Sequence, residues 1–254
     1  MVDSRRPEKK NPKKRLDTLV VERQLAESRQ RASALIMAGN ILVNDTPVDK
    51  PGAFINPDAV ITSRAEDLRY VSRGGLKLEH ALDFFKIDVK NANCLDVGAS
   101  TGGFTDCLLQ NGAKAVCAID VGYGQLAWKL RQDDRVKVIE RSNIRYMTAE
   151  DLPGPFDLVT IDVSFISLKI VVPVVTSFLK PGGRILALIK PQFEVGKDQV
   201  GKGGVVRDTS LHEKIIRELE IFFSANAGLI SAGVTPSPIK GPKGNTEFII
   251  LMHL

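Results

Sequence analysis

The chain is 254 residues long, 43% hydrophobic and 26% charged, with a formal net charge of +5. This is the composition of an ordinary soluble globular protein with one large domain or two smaller ones. There is no run of about 18 apolar residues, so no membrane-spanning helix is expected, and the basic N-terminus lacks the apolar segment of a secretory signal.

Residues 1–15 hold seven lysines and arginines against two carboxylates and so carry the whole net charge. Residues 1–14 are expected to be a disordered basic arm that either grips phosphates or solubilises the chain. Residues 15–63 read as a separate, small α+β module. Leu16, Leu19 and Val20 recur at helical spacing. Ser28 can cap a second helix, whose apolar face is Ala32, Leu35 and Ile36, with Gly39 to end it. Ile41–Val43, a turn at Asn44–Thr46 and Val48 read as a hairpin, and Ala59–Thr62 as another strand. Arg15, Arg23, Arg29 and Arg31 occupy the polar side of the helices. They suit either recognition of RNA shape or a solvated face.

This module resembles the RNA-binding domain named after ribosomal protein S4. The resemblance rests on Arg15-Leu16-Asp17, Leu19-Val20, Ser28-Arg29, Ala32, Leu35-Ile36, Gly39, Val43-Asn44, Val48 and Lys50-Pro51. It implies structured RNA, most often ribosomal RNA, as the partner, and it adds Lys50 to the RNA-binding candidates.

Residues 64–75 read as a polar linker, and residues 76–254 as one α/β domain. Leu76 to Phe85 is helical in pattern, with Leu78, Ala81, Leu82 and Phe85 as its stripe. Strands are expected at Cys94–Val97, Ala115–Ile119, Val136–Ile139, Leu158–Ile161, Ile185–Ile189, Leu229–Val234 and Phe248–Met252, with helices between them, including His212–Phe223. Such alternation gives a parallel sheet covered on both faces. A Pro/Gly-rich loop at Pro236–Gly244 leaves the last strand free to run antiparallel. Cys94, Cys107 and Cys117 fall in these strand and helix patterns. They read as core residues of a reducing, cytoplasmic compartment.

The most informative stretch is Asn93 to Phe104, a buried strand followed by a glycine turn and a helix start. Gly98, Gly102 and Gly103 do not have the spacing of a dinucleotide fingerprint, and no Lys-Ser or Lys-Thr follows to make a phosphate loop. The next strand ends in Asp120, which can accept from both hydroxyls of a ribose. A ribose and an adenine without a phosphate cradle point to S-adenosylmethionine. Three more charged residues sit at strand ends: Asp162 and Lys190 close two strands, and Glu247 opens the last. Ligands of open α/β sheets bind at the carboxyl ends of strands. Glu247 shares that rim only if its strand is antiparallel. Lys77 lies in the first helix of the domain.

With the glycine turn, this set resembles the ribose 2′-O-methyltransferases that carry a Lys-Asp-Lys-Glu tetrad. The whole chain resembles the TlyA family, S4-domain ribosomal RNA methyltransferases also labelled haemolysins, with an FtsJ-like catalytic domain. The matching stretches are Val71–Gly74, Asp96–Phe104, Asp120–Leu126, Asp162–Ser167, Lys190–Glu194, Gly203–Val206 and Gly244–Glu247. The resemblance implies a Rossmann-like fold, catalysis by Lys77, Asp162, Lys190 and Glu247, and a cytidine ribose of ribosomal RNA as substrate. It adds Arg73 to the RNA contacts and couples RNA binding to cofactor binding through Tyr70–Gly74. The family more often has tryptophan where Tyr70 stands.

A ribose hydroxyl is a poor nucleophile and needs a base. Lysine can act as one when desolvation or a second ammonium favours its neutral form. Lys190 is the candidate base and Lys77 the like charge, with the two carboxylates orienting both. Alignment of the reacting atoms can contribute roughly 7–11 kcal/mol. No metal is expected, since His80, His212 and His253 are scattered. Gly98, Ala99, Ser100 and Gly102 are assigned to the methionine end of the cofactor. Phe104 suits either that end or the core, and Asn143 either the adenine edge or a plain turn. The alternatives are a membrane-active haemolysin and a non-catalytic RNA-binding ribosome-assembly factor.

Overall fold

The computed structural model describes residues 12–26, 28–37, 39–63, 69–196, 199–201 and 203–254. The chain divides into two compact units, residues 1–68 and 69–254. Among the described residues no helix is long and apolar enough to cross a membrane.

The first unit packs helices α1 (Leu16–Glu22) and α2 (Arg29–Met37) over short strands. Leu16, Leu19, Val20, Ala32, Leu35 and Ile36 are buried together with Ile41 and Ile61, so the helical stripes read from sequence form one core. Strands β2 (Ile41–Val43), β3 (Thr46–Pro47) and β5 (Ile61–Ser63) make one antiparallel sheet in the order β3-β2-β5. A second, two-stranded sheet pairs β1 (Lys14–Arg15) with β4 (Phe54–Ile55). Most of the arm expected over residues 1–14 lies outside the described residues. Its last residue, Lys14, is part of a strand and pairs with Glu22 at 2.9 Å.

The second unit begins earlier than the linker expected over residues 64–75 would place it. Tyr70 is buried at 2% exposure, and its hydroxyl donates to Glu79. The Val71 amide donates to Asp106 Oδ2 at 2.8 Å. Helix α3 (Gly74–Phe84) follows at once. Then come β6 (Asn93–Val97), α4 (Gly103–Gln110), β7 (Ala115–Ile119), α5 (Trp128–Arg131), β8 (Val136–Ile139), β9 (Phe156–Ile161), α6 (Leu168–Thr176), β10 (Leu179–Ile189), α7 (Pro191–Glu194), α8 (Thr209–Ala227), β11 (Ile230–Pro236) and β12 (Phe248–His253).

One seven-stranded sheet has the order β11-β12-β10-β9-β6-β7-β8. The pairs from β10 to β8 are parallel, and β12 runs antiparallel to both of its neighbours. Alternate residues of each strand enter opposite cores. Leu95, Val97, Val159 and Ile161 pack with α6 and α8 on one face. Cys94, Val116, Leu158 and Leu186 pack with α3 and α4 on the other. Burial on both faces explains the nearly unbroken apolar runs in the sequence. It also pushes the thiols of Cys94, Cys107 and Cys117 up to about 12, so they behave as core groups.

Candidate active site

The glycine turn lies where β6 ends between β7 and β9. The Gly98 and Ala99 amides both donate to Ile119 O, at 2.9 and 3.1 Å, which holds the turn onto β7. On the other side the Asp162 amide donates to Val97 O at 2.9 Å. Gly98 has φ +84, and a Cβ there would lie 2.6 Å from Asp162 O. Only glycine meets both demands. Asp120 closes β7 as expected and ties the turn down. Its Oδ2 accepts from the Ser100 amide at 2.8 Å and its Oδ1 from the Gly122 amide at 2.7 Å.

The charged strand ends come together in two ion pairs. Lys190 Nζ lies 2.6 Å from Asp162 Oδ1 and donates to Ser164 Oγ at 2.9 Å. Lys77 Nζ donates to Glu247 Oε2 at 2.6 Å. Pairing of Ile189 with Phe248 puts Lys190 and Glu247 on one rim, because β12 is antiparallel to β10. Lys77, Lys190 and Glu247 are all buried. Glu247 Oε1 is buried and accepts no hydrogen bond among the described residues. A Cβ at Gly241 would overlap this oxygen.

Two cavities open along this rim. One, about 610 Å³, contains both ion pairs together with Gly98, Ala99, Ser100 and Phe104 in its wall. The other, about 970 Å³, runs past Asp120, Asn143, Ser164 and Gln192. They share Gly98, Ser100, Asp162 and Ser164, so a ligand in one adjoins a ligand in the other. Among the described residues, the charged ones lining the larger cavity are Asp120, Asp162 and one cation, Arg145. Gln192 Oε1 is a buried acceptor there without a donor among the described residues. Acceptors with a single cation suit the hydroxyls and amino group of a nucleoside better than a pyrophosphate. The residues present therefore fit S-adenosylmethionine. Phe104 is both core and cavity wall. Asn143 lines the cavity while its side-chain oxygen accepts from the Arg145 amide at 3.1 Å. Gly102 faces elsewhere: a Cβ there would run into Leu126 and Leu130.

Asp96 lies beneath the turn, fully buried. It accepts from Thr105 Oγ1 at 2.6 Å and Thr160 Oγ1 at 3.1 Å. Desolvation raises its pKa to about 6, against the hydrogen bonds from the two threonines. A carboxyl with a raised folded value contributes stability below its unfolded value and loses it as pH climbs through the folded one. Wild type should therefore lose stability relative to Asp96→Asn between about pH 4 and about pH 7, by on the order of 3 kcal/mol at about 1.4 kcal/mol per pKa unit. Urea unfolding of both proteins at the two pH values measures this. A difference independent of pH would show that Asp96 does not titrate in this range.

The proposed RNA contacts divide. Arg15 binds Asp17 through both Nε (3.1 Å) and Nη2 (2.7 Å), and Arg29 Nη2 reaches the same carboxylate at 3.1 Å. The two guanidinium groups hold buried Asp17 well below the usual carboxylate range. Both arginines thus have a structural partner, yet about half of each side chain stays exposed. Arg23 donates to Pro57 O at 2.5 Å. Lys50 and Arg73 are exposed, and Arg31 is half-buried. Sequence reading passed over Ser164, Gln192, Lys240 and Lys243, which line the cavities. It also passed over Phe165, which is 90% exposed at φ +63 with its ring 5.0 Å from that of Phe193. The Asp162–Ser167 stretch hints at Ser164 and Phe165, and the Lys190–Glu194 stretch at Gln192.

Residues 70–254 match the FtsJ-like methyltransferase family, and residues 14–61 match the S4 domain. The chain is 53% identical over 242 residues to YqxC of Bacillus subtilis, a protein provisionally named an rRNA methyltransferase, covering 95% of this chain and 86% of that one. It is 47% identical over 241 residues to the Mycobacterium tuberculosis protein named 16S/23S rRNA (cytidine-2′-O)-methyltransferase TlyA, covering 94% and 89%. A solved structure from Streptococcus thermophilus that carries the name hemolysin superposes with a TM-score of 0.74 at 46% identity, covering 95% of this chain and 88% of that one.

Proposed function

The chain belongs to the FtsJ-like methyltransferase family, and on that premise we propose that it methylates the 2′-hydroxyl of a cytidine ribose in ribosomal RNA, on ribosomal particles in the cytoplasm. The observation that carries this reading is the wall shared by the nucleoside-sized cavity and the cavity of the two ion pairs. When bound, S-adenosylmethionine supplies an electrophilic methyl group on a positively charged sulfur. Asp120 accepts from the ribose hydroxyls of that cofactor, and the turn at Gly98–Ser100 brings backbone close to it.

Lys77, Asp162, Lys190 and Glu247 are the catalytic set in this proposal. Loss of one ammonium proton leaves a lone pair on Lys190 Nζ to take the proton of the attacking hydroxyl. Asp162 and Ser164 hold that nitrogen in place, at 2.6 and 2.9 Å. Glu247 Oε1, lacking a donor of its own, offers an acceptor to a substrate hydroxyl while Oε2 holds Lys77. The exposed ring of Phe165, next to Ser164, gives a surface on which a base can stack. The S4 unit supplies affinity for structured RNA through its exposed cations.

Mass mapping of ribosomal RNA from cells with and without the protein tests this. A methyl group on one or more cytidine riboses is expected only when the protein is present. A protein-dependent methyl on a base, or none at all, would refute the reading.

A further inference from the structure

We propose that Arg73, Lys240 and Lys243 form a phosphate clamp at the mouth of the 610 Å³ cavity, binding the phosphodiesters on either side of the nucleotide whose ribose faces Lys190. The proposal rests on the reading above that an RNA ribose is the substrate. Among the described residues, five cations and two carboxylates line this cavity. Lys77 and Lys190 are matched by Glu247 and Asp162. The side chains of Arg73, Lys240 and Lys243 are exposed and have no ion pair or hydrogen bond among the described residues. A cluster of cations beside the site of a sulfonium is self-repelling, and a bound anion relieves that repulsion. An RNA strand brings one phosphate on each side of every ribose, which matches a cavity whose base holds the ribose-directed groups and whose mouth holds cations unpaired among the described residues.

The loop carrying the two lysines is built, not loose. Buried Asn245 accepts from the Val206 amide at 3.1 Å and donates to Gly204 O at 3.0 Å. The Gly241 amide donates to Asn245 O at 2.9 Å, and the Gly244 amide to Gly241 O at 3.1 Å. Ser237 Oγ donates to Ile239 O at 2.7 Å. Lys243 itself has φ +59. Left-handed backbone is uncommon for a non-glycine residue and persists where its surroundings over-determine it. The same loop ends in Glu247, so binding of a phosphate by the lysines and placement of the carboxylate involve one structural element. The methionine carboxylate of the cofactor is the competing occupant for these cations.

The test uses the full chain with Lys240→Gln and Lys243→Gln combined. Binding to ribosomal RNA purified from cells lacking the protein is measured over a series of KCl concentrations. The affinity is expected to fall about tenfold, and the slope of log K against log salt to flatten by about 0.7 per lysine. Cofactor affinity, measured by calorimetry, should be unchanged, which also reports an intact fold. Unaltered RNA affinity and slope would overturn the clamp. So would a loss confined to cofactor binding, which would assign the lysines to the methionine carboxylate. Lys243→Gly gives a second route, since glycine accepts φ +59 without strain and removes the charge; it should weaken RNA binding in the same direction. RNA binding is read here without methyl transfer. Absence of methylation by the wild type would refute the functional reading and leave this result to stand or fall by itself.

Discussion

Replacement of Lys190 by alanine is expected to lower kcat for methyl transfer by about 10²–10⁴-fold, the usual contribution of a positioned acid or base, while S-adenosylmethionine still binds. The argument rests on placement. Lys190 closes β10 at the rim, with Asp162 and Ser164 both on its ammonium. These contacts fix the nitrogen within the wall of the smaller cavity, which adjoins the nucleoside-sized one. Alanine removes the only atom there proposed to take the hydroxyl proton. It also leaves the partly buried Asp162 without its cation; unpairing a fully buried ion pair destabilises by about 3–5 kcal/mol, and the loss here is smaller. Circular dichroism and cofactor titration must therefore accompany the kinetics. A second variant, Lys190→Ala with Asp162→Ala, removes the orphaned charge and should stay as inactive as the single one. A correctly folded Lys190→Ala protein with full turnover would exclude Lys190 as the base.

The second large effect concerns the cofactor. Asp120→Ala is expected to weaken S-adenosylmethionine binding by at least about a hundredfold, since each of the two hydrogen bonds to a charged acceptor contributes about 1.5–3 kcal/mol. Asp120 has two tasks in the proposal: its oxygens already accept from the Ser100 and Gly122 amides, and each keeps a lone pair for a ribose hydroxyl. Asp120→Asn keeps one acceptor oxygen and should fall between alanine and wild type. Isothermal calorimetry with the full chain decides the matter. Equal affinities for all three proteins would remove the ribose contact and leave Asp120 as a brace for the turn. The proposed base Lys190 and the proposed cofactor acceptor Asp120 thus have separable signatures, one in kcat and one in Kd.

The strands of the second unit were legible because each is a short apolar run bounded by turn residues, and two-sided burial requires that pattern. The Pro/Gly loop before Phe248 already allowed an antiparallel last strand, and β12 is antiparallel. The helical stripes of the small unit were equally plain, because Leu16, Leu19, Val20, Ala32, Leu35 and Ile36 each answer to a local periodicity. Strand β1 was not legible: two basic residues at the end of a charged run carry no strand signal. Nor was the hold of Asp17 on Arg15 and Arg29, since that carboxylate is set only by helix packing.

By itself the sequence determined the alternation of strands and helices, the glycine turn, the carboxylate after the second strand, and the charged residues closing strands. All of these depend on neighbours within a few residues. Resemblance to a family grouped Lys77, Asp162, Lys190 and Glu247. The tertiary structure alone decided how they pair. Lys77 and Glu247 are 170 positions apart, and only the register of an antiparallel strand against β10 brings Glu247 to the same rim as Lys190. The orphan oxygen of Glu247, the turning away of Gly102 and the lysines at 240 and 243, without partners among the described residues, belong to the same class of fact. Each is a relation between groups far apart in the chain, fixed by packing rather than by local preference.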